Sequence, residues 1–141
     1  LSVKQIVDAK RGEDIVLESG EVLSNDAITY RPYSTLSYAY CSDTNYSARL
    51  ARMVEGVGVL YHEATYAADM RKTAKERGHS TTEDAAKVAK MAGVGRLLIG
   101  HFSSRYKDLS LLLNEARAMF PATDIAREGE TFLIEPKPHK E

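Results

Sequence analysis

The sequence predicts an α/β fold with a mainly parallel sheet, and three observations carry that expectation. Short aromatic or β-branched runs alternate with segments of helical periodicity, and the alternation repeats through the chain after Leu36. Strands separated by helices require crossovers, which make neighbouring strands parallel. An internal echo agrees: Gly56-Val57-Gly58-Val59-Leu60 and Gly93-Val94-Gly95-Arg96-Leu97 each introduce a strand that runs up to a histidine. The echo reads as repeated βα construction, not as a solenoid.

Taken in order, residues 1–35 are the least regular, charged and glycine-punctuated. The runs Asp14–Glu18 and Glu21–Leu23, set around Ser19-Gly20, predict a small hairpin in this linking segment. Pro32 makes Arg31–Ser34 a connector. Leu36–Cys41 reads as a strand, and Tyr46, Leu50 and Met53 recur behind it at helical spacing. Val57–Tyr61 is the second strand, with Thr65 expected as the N-cap of a helix reaching about Arg77 and stopped by Gly78. Ser80-Thr81-Thr82-Glu83 has capping-box spacing and opens a helix with Ala85, Val88, Ala89 and Ala92 on one face, ended by Gly93. Arg96–Ile99 is the third strand. Tyr106, Leu109, Leu112, Leu113, Ala116 and Phe120 mark the clearest amphipathic helix, halted at Pro121. Thr123–Ala126 and Glu130–Glu135 are expected as final strands around Glu128-Gly129, and residues 136–141 as a frayed tail.

With 43% hydrophobic and 28% charged residues, the 141-residue chain has the balance of a core-forming domain. Nineteen basic against twenty acidic side chains give a net charge of −1, so a polyanion would need a local site. No apolar run approaches the roughly 20 residues that cross a bilayer, and no membrane partner is expected. A single cysteine, without a charged-then-apolar leader, gives the expectation of an intracellular, reducing, cytoplasmic setting.

Chemistry gathers where the three strands end. The segments Cys41-Ser42-Asp43-Thr44, His62-Glu63-Ala64-Thr65 and His101-Phe102-Ser103-Ser104-Arg105 all fall at the carboxyl edge of a parallel sheet, where open α/β folds place their sites. A fourth cluster, Gly78-His79-Ser80-Thr81, precedes a helix whose free amides attract anions such as phosphate. Each residue also has a plainer role: Asp43, Ser80 and Thr81 as caps, His62 and His101 as hydrogen-bonded structural residues, Glu63 and Arg105 as surface ion-pair partners, Cys41 as core. The coincidence at three strand ends favours a metal site with nitrogen and oxygen ligands, but Asp43 and His101 alone cannot close a zinc site. Either the metal reading fails or the remaining ligands lie outside these residues.

Tyr40-Cys41-Ser42-Asp43-Thr44, Leu60-Tyr61-His62-Glu63-Ala64-Thr65, Arg77-Gly78-His79-Ser80-Thr81 and His101–Arg105, with Glu115-Ala116-Arg117 and Phe120-Pro121, resemble the C-terminal half of ribonuclease Z, the transfer-RNA 3′-processing endonuclease of the metallo-β-lactamase superfamily. The resemblance implies that residues 36–135 form the C-terminal half of a metallo-β-lactamase αββα sandwich. It implies a zinc-dependent endoribonuclease that removes the 3′ trailer from precursor tRNA, with hydroxide held by two zinc ions as the nucleophile. Asp43 would bridge the two Zn2+ ions and His101 would ligate one. His79 would assist the leaving oxygen, oriented by His62 and Glu63. Ser80 and Thr81 would approach the substrate phosphate, and Arg105 would hold phosphate or organise the loop behind His101. The family's His-x-His-x-Asp-His signature, its next His ligand and its basic arm are absent, so the chain is expected to be inactive alone and to need the N-terminal half of the domain. A homodimer is also implied. Two other readings stand beside this one: a metallo-β-lactamase-fold phosphodiesterase of different substrate, and a non-catalytic interaction or dimerisation module.

Overall fold

The computed structural model describes residues 1–30 and 35–134. The described residues divide into two compact units, one within residues 1–35 and the other within residues 36–135.

In the first unit, helix α1 (Val3–Lys10) is opened by Ser2, whose hydroxyl accepts from the Gln5 amide at 3.2 Å while Gln5 Oε1 accepts from the Ser2 amide at 2.8 Å. Strands β1 (Ile15–Val16) and β2 (Val22–Leu23) form the expected antiparallel hairpin, and a single turn, α2 (Asn25–Ile28), follows. Asn25 ties the unit together: its buried amide donates to the carbonyls of Ala9 (2.7 Å) and Glu13 (3.1 Å). Neither helix is expected from the sequence pattern. α1 buries only Ala9, so it has no broad apolar stripe, and the one legible signal is the Ser2-x-x-Gln5 box.

The second unit is built on four strands in the order β3 (Tyr38–Cys41), β4 (Val59–Glu63), β5 (Arg96–Gly100) and β6 (Thr123–Ile125), every neighbouring pair parallel. The helices are α3 (Ala48–Met53), α4 (Arg71–Arg77), α5 (Thr82–Ala92) and α6 (Ser110–Met119). Register places Cys41, His62, Ile99 and Ile125 abreast, with Ala39, Leu60, Leu97 and Thr123 two residues before them in each strand. This face packs on α3, α5 and α6 through Ala51, Val54, Ala85, Val88, Ala89 and Ala116. Leu60, Leu97, Ile99 and Leu112 are wholly buried, each stabilising by about 1.5–3 kcal/mol. On the other face, Tyr40 stacks on Tyr61 with ring centroids 4.5 Å apart. The repeated glycines have a geometric origin. Gly93 closes α5 at φ +60°, and a Cβ on Gly95 would come within 2.6 Å of the Gly58 carbonyl, so β5 enters this close to β4 only with glycine at 95.

Several boundaries differ from expectation. Thr65 caps no helix; a 3₁₀ turn (Ala68–Met70) leads into α4, which ends at left-handed Gly78 as expected. The capping box of α5 is Thr81 with Asp84, one residue later than the Ser80 and Glu83 spacing, because Ser80 is held by other partners. α6 begins at Ser110, and Tyr106 lies ahead of it with its hydroxyl accepting from the Ala67 amide at 2.9 Å. Residues 130–134 form no strand; Phe132 lies against the Arg96 guanidinium at 5.5 Å. The expected connector at Arg31–Ser34, Glu135 and the tail lie outside the described residues. No helix among the described residues is long and apolar enough to cross a membrane.

Candidate metal centre

The parallel sheet brings the ends of β3, β4 and β5 side by side. Asp43 lies two residues past β3 with φ +41°, and His101 directly follows β5 with φ +61°. Left-handed backbone at a residue with a Cβ costs of order 1 kcal/mol and persists where the surroundings enforce it. His79 comes from the link between α4 and α5. One donor atom from each of Asp43, His79 and His101 lies within 4.8 Å of the others. His101 Nε2 is 3.4 Å from Asp43 Oδ1, and the two imidazole centroids are 5.4 Å apart.

Hydrogen bonding behind these rings fixes their tautomers. Thr65 Oγ1 donates to Glu63 Oε2 at 2.8 Å and therefore accepts from His101 Nδ1 at 2.9 Å. His79 Nδ1 donates to Glu63 Oε1 at 2.9 Å. Both rings then turn an Nε2 lone pair away from the anchoring groups, the form a metal or a proton requires. A carboxylate with two such imidazoles is a donor set that fits zinc.

Glu63 is the hub. It is fully buried, which removes the surface ion-pair reading, and its carboxylate accepts five hydrogen bonds. Oε1 takes the Thr44 amide (3.1 Å), the Ser80 amide (3.1 Å) and His79 Nδ1; Oε2 takes the Thr65 amide (3.0 Å) and the Thr65 hydroxyl. Three loops thus close on one side chain.

His62 does not join this network as expected. Successive strand residues face opposite ways, so with Glu63 turned to the site, His62 is buried on the helix side between Cys41 and Ile99. Its Nδ1 donates to the Glu63 carbonyl at 2.7 Å, and Nε2 has no hydrogen-bond partner among the described residues. Burial holds His62 below the ordinary histidine value, against the opposing pull of the Glu63 carbonyl and the Glu63 and Asp84 charges. The unfolded chain takes up a proton as pH falls through about 6.5 while the folded chain does not, so this stability is complete above that value and declines below it. Urea titrations from about pH 7.5 to 5.5 are expected to show the decline, and His62→Leu to flatten its share.

Ser80 and Thr81 are also buried with their polar groups engaged internally. Ser80 Oγ donates to the Thr44 carbonyl, and Thr81 exchanges hydrogen bonds with Asp84. They shape the loop under His79 and present no free donor to a phosphate, which corrects that expectation. Arg105 is exposed, with its guanidinium 5.4 Å from the Tyr66 ring and Nε donating to Ser103 Oγ at 3.3 Å. Cys41 is a buried core thiol. Sequence spacing misplaces one functional residue, Thr65, whose hydroxyl links Glu63, His79 and His101.

This sheet and its edge of converging donors define a half-sandwich of the metallo-β-lactamase class. The metallo-β-lactamase fold protein YhfI from Bacillus subtilis is similar over 64% of this chain and 37% of its own, with TM-score 0.59 and 29% identity. A long form RNase Z from yeast is similar over 62% of this chain and 12% of its own, with TM-score 0.54 and 27% identity. No family model matches the chain. Ribonuclease Z of Bacteroides thetaiotaomicron is 47% identical over 125 residues, 89% of this chain and 40% of that protein. Ribonuclease Z of Parabacteroides distasonis is 44% identical over 132 residues, 94% and 43% respectively. This chain is a relative of ribonuclease Z, and it matches the C-terminal part of those proteins. It spans about 40% of the length of the curated relatives.

Proposed function

We propose that this chain supplies the C-terminal part of the active site of a zinc-dependent endoribonuclease that removes 3′ trailers from precursor tRNA. The observation that carries the reading is the Glu63–Thr65 network, which anchors His79 and His101 through Nδ1 and leaves one donor atom from each of them and from Asp43 within 4.8 Å of the others. Asp43 and His101 hold zinc, two ions per complete site, with the remaining ligands outside this chain. Bound zinc supplies Lewis acidity and a nucleophile near neutral pH. His79 carries a proton at Nε2 to the departing 3′ oxygen, its ring held by the Glu63 carboxylate, and Arg105 keeps the His101 loop in place. The products are a tRNA with a 3′ hydroxyl and a 5′-phosphorylated trailer. The N-terminal half of the domain, precursor tRNA and a second copy in a homodimer are the partners, and the cytoplasm is the proposed setting.

The test is Asp43→Ala in the complete protein. Zinc content measured by mass spectrometry is expected to fall, with precursor-tRNA cleavage down on the order of 100-fold or more. Full zinc content with full activity would overturn the assignment. Hydrolysis of bis(p-nitrophenyl) phosphate without cleavage of precursor tRNA would transfer the site to another phosphodiesterase.

A further inference from the structure

We propose that a basic hollow beside His79 binds a second, non-scissile phosphodiester of the RNA chain. The inference rests on the reading of this site as an RNA-cleaving one and adds to it a place where the substrate backbone is gripped. A cavity of about 360 Å³ is lined by Arg71 and Lys75 of α4, Lys87 of α5, Tyr46, Asp84 and His79 itself. Because His79 forms part of its wall, a chain whose scissile phosphate meets His79 can pass a neighbouring phosphate into the hollow.

The charges support an anion. Arg71 and Lys75 are one helical turn apart on α4, so both reach the same side. Arg71 is held by Glu83 at 2.6 Å, which orients it and offsets its charge. Asp84 is committed to capping, accepting from the Thr81 amide. Lys75 and Lys87 form no ion pair among the described residues, and the Lys87 ammonium sits 4.6 Å from the Tyr46 ring centroid. Both lysines are solvent-exposed. In a chain of net charge −1, two uncommitted ammonium groups next to His79 are the local site that bulk electrostatics does not provide.

The experiment is Lys75→Ala/Lys87→Ala in the complete, zinc-loaded protein, compared with Lys75→Arg/Lys87→Arg, both checked for wild-type thermal stability. The ratio of kcat/KM for precursor tRNA to that for bis(p-nitrophenyl) phosphate is expected to fall about tenfold in the alanine variant and to recover in the arginine variant. The slope of log KM against log salt is expected to lessen by about 0.7 for each phosphate no longer neutralised. A ratio within about twofold of wild type, or one that stays low with arginine, overturns the subsite. Should wild type leave precursor tRNA uncut, the substrate reading fails on its own. The subsite is then judged by binding of a short single-stranded oligoribonucleotide, where affinity equal to wild type overturns it and about tenfold weaker binding sustains it.

Discussion

Glu63→Ala is expected to destabilise the strand-bearing unit by about 3–5 kcal/mol, the largest effect of any single side-chain truncation at the site. The carboxylate is fully buried and accepts from three backbone amides, those of Thr44, Thr65 and Ser80, as well as from Thr65 Oγ1 and His79 Nδ1. Truncation leaves those donors without an acceptor, and each buried orphan costs roughly 1–3 kcal/mol. Glu63→Gln does not rescue the site, because its amide NH2 faces donors whichever way it is turned. Urea unfolding followed by tyrosine fluorescence measures the loss, since the chain has eight tyrosines and no tryptophan. A Glu63→Ala variant within about 0.5 kcal/mol of wild type would overturn the hub assignment.

His79→Ala is expected to lower cleavage by about 10²–10⁴-fold in the complete enzyme with little change in stability, the reverse signature. Its ring is only one of the five donors on Glu63, and it is partly exposed, so removing it leaves the backbone amides satisfied. The loss should fall on kcat, with KM for precursor tRNA close to wild type, as for an interaction made in the transition state. Zinc content separates two roles for a residue that also lies among the metal donors. Retained zinc with a diminished kcat supports proton transfer, whereas absent zinc moves His79 into the ligand set.

Much of this is legible in the sequence, for identifiable reasons. The parallel sheet follows from strands spaced by helices, and the approach of Asp43 to His101 follows from the sheet, since parallel strands share one carboxyl edge, whereas His79 reaches them from the α4–α5 link. Less legible is the division of labour within His62-Glu63-Ala64-Thr65. Both acidic and imidazole groups suit a site, yet the two-residue period of β4 admits only Glu63 and sends His62 into the core. Thr65 matches a helix cap by spacing, and only the fold shows its hydroxyl within reach of Glu63, His79 and His101. Ser80 and Thr81 satisfy a phosphate-loop pattern, while burial gives them internal partners. α1 escapes a periodicity reading because one buried alanine makes no stripe.

The left-handed backbone at Asp43 and His101 narrows what chemistry these positions can evolve. Aspartate, asparagine and histidine tolerate such angles better than other residues with a Cβ, and β-branched side chains hardly do so at all. Alternative donors such as glutamate or cysteine meet a conformational barrier before any question of metal affinity arises. At the proposed metal site, residue identity at these two corners is therefore constrained twice, by the ion to be bound and by the turn that carries the side chain.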